Sequence, residues 1–411
     1  MATIKPFKAI RPTQDKVAHV VSRSYQEYKK DELEATLKYN PFSFLHIINP
    51  GFKFDKEVSG KERFQLVRNR YLEFLEDDIF TKEEKPSFYL YRITENDKSF
   101  LGFFCCTSVD DYSMDIIKKH EDTLKSKEEL FANYLKTVTF NAEPVLMTYT
   151  DNPQIDAILK TETQQQPEYH FCTQDKVRHE FWVISNTEII KNIQKEFDNI
   201  DALYIADGHH RSASSNLLAK QLQKESPNHT GKENYNFFMS YLIPESSLKI
   251  YEFNRMVKDL NGLSKEEFLI ALDAYFRIEN KGKELYKPSK KHHFSMYLGG
   301  EFYSLYLRKK VYEYSDELSE LDTQILFKTV LEPILGISDL RNDKRIAYGY
   351  GKYNIIKMKD EIDAQNFTVG FSLVPITISE IKAIANKGLV MPPKSTYIEP
   401  KLRSGLAIYE L

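Results

Sequence analysis

The sequence predicts an α+β protein whose mixed sheet is elaborated by additional antiparallel hairpins and helices. Three observations predict it. β-rich runs come in pairs around short polar turns, helix starts carry a hydroxyl and a glutamate three residues apart, and mid-chain a helix, a strand, a sharp turn and a second helix follow one another.

The paired runs are "SFYLYRITENDKSFLGFFCCTSV" from Ser87, "YHFCTQDKVRHEFWVI" from Tyr169, and "HHFSMYLGGEFYSLYLR" from His292, where Gly299-Gly300 permits positive φ. The helix starts are capping boxes at Ser185 with Glu188, Ser264 with Glu267, and Thr377 with Glu380. The central segment "NTEIIKNIQKEFDNIDALYIADGHHRSASSNLLAKQLQKE" forms the crossover. Met114 to Lys136 is expected as one solvated helix. His46, inside "NPFSFLHIINPG", is expected as a hydrogen-bonded core histidine, and His292-His293 as structural. "GYGKYN" at Gly349 to Asn354 reads as a lone Gly-x-Gly without a strand before it and a helix after it.

At 411 residues the chain exceeds the usual single-domain size. The expected division is a lobe over 1–150, a segment over 151–245 carrying the central turn, and a lobe over 246–411 whose tail packs back on the core. Hydrophobic residues make up 41% and charged residues 28%, with 27 Phe and 26 Tyr for core packing, so the composition excludes disorder. Lys+Arg 57 against Asp+Glu 60 leaves a net charge of −3, which provides no global field for nucleic acid or an anionic membrane. No window reaches the roughly 20 apolar residues of a membrane span, and the start "MATIKPFKAIRPTQDK" lacks a secretory apolar core, so a cytoplasmic location is expected. Cys105, Cys106 and Cys172 lack disulfide or zinc spacing and are expected as buried small hydrophobes.

The central turn concentrates the chemistry. Leu203 to Ala206 is a short apolar run, Asp207-Gly208 breaks it, and from Ser212 the pattern is helical, with Ala213, Leu217 and Leu218 on one apolar face. The first amides of such a helix lack intrahelical partners and carry the positive end of the macrodipole, so the turn attracts an anion. Gly208 allows close approach, Arg211 adds a fork that matches phosphate oxygens, and Ser212, Ser214 and Ser215 offer hydroxyls. Beside phosphate, the carboxylate of Asp207 calls for a divalent cation or for a proton to remove, and both uses point to phosphoryl transfer. His209 and His210, adjacent on a helix, diverge too far around the axis to chelate one ion easily. Lys394, Ser395, Thr396, Lys401 and Arg403, in a segment stiffened by prolines, form a candidate second anion or substrate site.

"PFKAIRP", "NPFSFLHIINP", "LYIADGHHRSASS", "LEPILGI" and "MPPKSTYIEPKLRSGL" together resemble the bacterial domain-of-unknown-function family numbered 1015, over nearly the whole chain. Locally, Asp207 to Arg211 is similar to the Asp-Gly-His-Thr-Arg turn of free-serine kinases in the ParB/sulfiredoxin superfamily. That resemblance implies a ParB/sulfiredoxin-like nucleotide-binding core and transfer of a phosphoryl group between ATP or ADP and a small hydroxy amino acid, L-serine. It also implies that Asp207 assists a metal, Mg²⁺, or the attacking hydroxyl, that Gly208 gives close approach, and that His209 and Arg211 grip phosphate, beside the hydroxyl that Ser212 offers. His210 stands where those kinases carry threonine. A phosphoserine phosphatase-like or nucleotide hydrolase, with His210 as proton donor or base, and a nucleotide-sensing binding protein of the ParB-like class are the alternative expectations.

Overall fold

The computed structural model describes residues 1–351 and 354–411. Two compact units emerge. The first comprises Met1–Lys119, Thr123–Leu248 and Pro400–Leu411, the second His120–Asp122 and Lys249–Glu399.

Among the described residues, the first unit is built on a nine-stranded sheet. In chain order its strands are β1 (Ile4–Lys5), β2 (Phe88–Glu95), β3 (Lys98–Ser108), β4 (Ile117–Lys118), β5 (Val145–Tyr149), β6 (Tyr169–Cys172), β7 (Arg178–Ile184), β8 (Leu203–Asp207) and β9 (Phe237–Pro244). They lie in the order β4-β8-β5-β9-β3-β2-β7-β6, with β1 against β3. β8 runs parallel to β4 and β9 parallel to β5, and the remaining pairs are antiparallel, so the sheet is mixed as expected. The expected boundary after residue 150 runs through this sheet, because strands on both sides of it share ladders.

Alternation explains how both faces are covered. One face of the sheet presents Phe88, Leu90, Phe103, Cys105, Met147, Ile205 and Leu242 to an apolar core that includes Ile190, Ile193 and Phe197 of helix Thr187–Phe197. The intervening residues Tyr89, Tyr91, Phe104, Phe181 and Tyr241 stack into an aromatic layer on the other face. A Cβ on Gly102 would lie 2.3 Å from the Leu242 carbonyl oxygen and 2.7 Å from the Tyr241 ring. Gly102→Ala is therefore expected to destabilise the protein by about 1–3 kcal/mol through overpacking, read as a lower urea midpoint with an unchanged slope.

Several expectations are corrected. Residues 114–136 are not one helix: Asp115 takes φ 59°, Ile117 pairs with Leu203 in the sheet, and the helix runs over Lys125–Val138. Ser185 caps nothing, because β7 reaches Ile184 and the Asn186 side chain accepts from the amides of Glu188 and Ile189. Cys105 and Cys106 are buried, whereas Cys172 is exposed on the edge strand β6. His46 is half-buried, and its Nε2 lies 3.1 Å from the Asn40 carbonyl oxygen.

The second unit has a six-stranded sheet among the described residues, with strands β10 (Asn254–Val257), β11 (Phe276–Gly282), β12 (His293–Leu298), β13 (Glu301–Leu307), β14 (Ile346–Gly349) and β15 (Val369–Ser372) in the order β11-β13-β12-β15-β10-β14. The β12-β13 hairpin turns at Gly299 and Gly300 with φ 58° and 82°, as the Gly-Gly pair predicts. Both capping boxes expected here are present, at Ser264 with Glu267 and Thr377 with Glu380. The Gly349 to Asn354 stretch does join a strand, β14, to a helix, Asn354–Asp363, contrary to its sequence reading. Lys352 and Tyr353 of that stretch lie outside the described residues. No helix of the described residues is long and apolar enough to cross a membrane.

Candidate functional site

Strand β8 ends at Asp207, and helix α1 (His209–Glu225) begins two residues later. Gly208 makes the junction in a left-handed conformation, φ 105° and ψ 27°, which a side chain would strain. The β8-β5 register shifts between Ile205 and Asp207, and such a bulge re-aims the side chain that follows it.

The helix is not amphipathic in the expected way. His209, Ser212, Ala213, Ser214, Ser215, Leu218 and Ala219 are all buried, with Ala213 and Ala219 in the sheet core and Leu218 against Ala132 and Leu135 of helix Lys125–Val138. Small residues suit a helix start enclosed on more than one side. The hydroxyls turn back onto the helix, Ser212 donating to the His209 carbonyl at 3.0 Å and Ser214 to the His210 carbonyl at 2.7 Å. The amides of Arg211 and Ser212 donate to the Gly208 carbonyl. Ser212 thus serves the turn's geometry.

Arg211 lies over the turn. A Cβ on Gly208 would stand 2.8 Å from its Nε and 3.0 Å from its Nη2. Its Nη1 donates to Glu143 Oε2 at 3.2 Å, and its Nη2 is 3.8 Å from Asp207 Oδ1. On the other carboxylate oxygen, Lys401 Nζ stands 3.2 Å from Asp207 Oδ2. Burial opposes ionisation of Asp207, but the charges of Arg211 and Lys401 outweigh it and hold the carboxyl below its usual range. Burial pushes the His209 imidazole down to about 3 against the attraction of Asp207, so His209 is neutral at physiological pH and not a second cation. His210 is half-buried.

The C-terminal segment belongs to this unit and explains the reach of Lys401. Ile408 bridges to Ile10, Tyr409 pairs with Asn141, and Ser404 exchanges backbone hydrogen bonds with Ser22. Ser404 Oγ also donates to Glu143 Oε1 at 3.0 Å, so Glu143 joins the segment to Arg211. Arg403 donates to Asp175 Oδ2 at 2.6 Å and to Thr173 Oγ1 at 3.5 Å, and Thr173 Oγ1 is 3.1 Å from Nε2 of the buried His179. Of the other residues expected in a second anion site, Lys394, Ser395 and Thr396 belong to the second unit. There Ser395 is buried and donates to the Pro392 carbonyl at 2.6 Å, while the Lys394 carbonyl accepts from Arg255 and its ammonium sits over the Phe253 ring. Ser395 is thereby committed to its own loop.

Glu143, Glu27, Asp175 and Arg23 carry no local motif, and sequence reasoning missed them. Glu27 ends a single turn over Tyr25–Glu27. Burial raises its carboxyl pKa, Lys401, Arg403 and Arg23 pull it down, and the charge of Asp207 adds to the rise. Beside Arg211 and Glu143 opens a cleft of about 1130 Å³ walled by, among others, Tyr25, Phe52, Arg63 and Ser214. That volume exceeds what a drug-sized molecule needs.

Gly208→Ala would strain the positive φ and press on the Arg211 guanidinium, so it is expected to cost about 1–3 kcal/mol in stability. The expected signature is a lower melting temperature together with weaker pyrophosphate binding by calorimetry, and a fall in neither would show that the guanidinium does not depend on this glycine.

A family model described as protein of unknown function (DUF1015) matches residues 4–324. No curated protein matches the sequence. Among solved structures, a free serine kinase in complex with AMP is 12% identical with a TM-score of 0.37, covering 74% of this chain and 91% of that one. SbnI with a C-terminal truncation, from Staphylococcus aureus, is 15% identical with a TM-score of 0.39, at 74% and 85% coverage. A conserved hypothetical protein from Pyrococcus furiosus is 15% identical with a TM-score of 0.35, at 74% and 95% coverage. At these scores the likenesses are too distant to carry an activity over.

Proposed function

The chain belongs to the DUF1015 family, and for this member we propose a phosphotransferase that moves a phosphoryl group between a nucleotide, ATP or ADP, and a small hydroxy amino acid, L-serine. The observation that carries the reading is Arg211 lying over a left-handed Gly208 at the start of a 17-residue helix, beside an ionised Asp207 and a large cleft. Close backbone approach, a planar cation and the helix dipole are what a phosphate group requires. The similarity of the Asp207 to Arg211 turn to that of free-serine kinases supports the same class and a ParB/sulfiredoxin-like core.

In this reading the nucleotide lies in the cleft with its terminal phosphate toward Arg211 and Lys401. The acceptor hydroxyl oxygen attacks phosphorus, the bond to the nucleotide's bridging oxygen breaks, and the hydroxyl proton is released to water as the nucleotide leaves with that oxygen. The protein's share is positioning and charge neutralisation. Asp207 orients the two cations, and neutral His209 supports the turn from beneath.

The test is product analysis with purified protein, labelled ATP or ADP and L-serine. Labelled phosphoserine is the expected product. Inorganic phosphate released without a phosphorylated acceptor would replace this reading with hydrolysis, and ligand-stabilised melting without any turnover would replace it with nucleotide sensing.

A further inference from the structure

The cleft beside Arg211 is lined by a second arginine, and that one has no acidic partner among the described residues. Arg63 stands in the first turn of helix Gly60–Glu76, which is held in place by its buried Phe64, Val67, Tyr71 and Phe74. Its Nη2 donates to the Ile48 carbonyl oxygen at 2.7 Å, which pins one corner of the guanidinium. A cation in a first helical turn opposes the macrodipole, so a carboxylate beside it would be expected. The acids that line the cleft do not supply one. Glu143 is taken by Arg211 and Ser404, Glu34 faces Lys30 at 4.0 Å, and Asp55 and Glu57 are exposed and form no ion pair with Arg63.

Tyr134 of helix Lys125–Val138 lines the same cleft, its ring meeting Phe64 edge-on at 5.3 Å. Burial pushes its phenol pKa up, the charge of Arg63 acting against the rise and that of Glu143 adding to it, so the hydroxyl keeps its proton and can donate it. That hydroxyl has no hydrogen-bond partner among the described residues. A pinned guanidinium and a phenol hydroxyl thus stand near one another in the cleft, both with donors to offer.

We infer that Arg63 and the Tyr134 hydroxyl hold the carboxylate of the acceptor amino acid, at a place in the cleft separate from the phosphate end at Arg211. The inference rests on the reading of the cleft as the place where nucleotide and acceptor meet. A guanidinium presents five N–H donors in a fixed fork, and with one committed to Ile48 the rest still match two carboxylate oxygens. Charge favours a carboxylate over a second phosphate. One cation and a neutral hydroxyl balance a single negative charge, and the nearby carboxylate of Glu143 would weigh more heavily against a doubly charged group. The cleft would then select hydroxy compounds that carry a carboxylate.

Calorimetry on the full chain tests this without turnover. L-serine is the probe, L-alanine has the carboxylate but no hydroxyl to phosphorylate, and L-serinamide has the hydroxyl but a neutral amide in place of the carboxylate. Wild type should bind both amino acids and bind L-serinamide at least about tenfold more weakly. Arg63→Met should lose at least about tenfold in affinity for L-serine and L-alanine while keeping its pyrophosphate affinity, and Tyr134→Phe should lose about threefold for the amino acids. L-serinamide bound by wild type as tightly as L-serine would overturn the inference. So would no binding of either amino acid, an unchanged L-serine affinity in folded Arg63→Met, or a pyrophosphate affinity that falls there by the same factor. Should Arg63→Met fail to fold, the L-serinamide comparison and Tyr134→Phe still decide. Arg63-dependent binding of L-serine by a protein that never forms phosphoserine would sink the proposed reaction and leave the carboxylate site standing. Phosphoserine formed by Arg63→Met with the wild-type KM for serine would do the reverse.

Discussion

Replacing Arg211 with alanine should lower kcat/KM for the proposed phosphoryl transfer by about two to three orders of magnitude, equivalent to about 3 to 4 kcal/mol of lost transition-state stabilisation. The size follows from position. The guanidinium lies against Gly208 and beside the cleft, so in the proposed reaction its charge would act where charge shifts during transfer, in surroundings that water reaches only in part. Stability should change far less, because the Arg211–Glu143 pair is about one-third exposed on both sides and such pairs contribute roughly 0–1 kcal/mol. Arg211→Lys should recover part of the rate, keeping the charge and losing the fork. Steady-state kinetics with melting curves for both variants make the check. A folded alanine variant that turns over like wild type would remove Arg211 from the chemistry.

The contribution of Asp322, in the second unit, to stability should fall as pH rises through the window from about 4 to about 6. Asp322 is 4% exposed, its Oδ1 accepts from the His292 amide at 2.9 Å, and Oδ2 has no hydrogen-bond partner among the described residues. Burial pushes its carboxyl up to about 6 from the ordinary 3.8, against the His292 amide and the nearby charges of His292 and Lys291. The sign follows from proton counting. Between those values the folded protein keeps a proton that the unfolded chain has released, so each step up in pH favours unfolding until the carboxyl is ionised in both states. The full effect at neutral pH is roughly 3 kcal/mol, at 1.36 kcal/mol for each unit of pKa difference. Asp322→Asn keeps the acceptor oxygen and removes the charge, but its new amide donors need partners, so the expected gain near neutral pH is about 2 kcal/mol. Urea unfolding at about pH 5 and about pH 8 measures it: the variant should gain over wild type mainly at the higher pH. An equal difference at both would show that Asp322 does not titrate in this window.

How far the sequence reached can be followed through particular residues. The hairpins over 87–109, 169–184 and 292–308, the capping boxes at Ser264 and Thr377, and the passage from β8 through Gly208 into a helix were all legible. Each is a local matter: side-chain alternation, a hydroxyl and a glutamate within one turn, a glycine where φ must be positive. The same locality drew Asp207, Gly208 and Arg211 together as a candidate site, since they fall within five consecutive residues.

Tertiary structure decided the rest. Ser212 and Ser214 have the composition of ligand donors, yet burial sends their hydroxyls to helix carbonyls. His209 has the composition of a cation, yet desolvation leaves it neutral. Glu143 and Lys401 reach the turn from 68 and 194 residues away, through the sheet and the returning C-terminal segment, and no spacing in the chain announces either meeting. Periodicity and capping are written in neighbours along the chain, whereas the charge an ionisable group bears and the partner it meets depend on which distant segments exclude water from it. The sequence by itself determined a left-handed glycine turn from strand into helix, and the fold decided which side chains give that turn its charge.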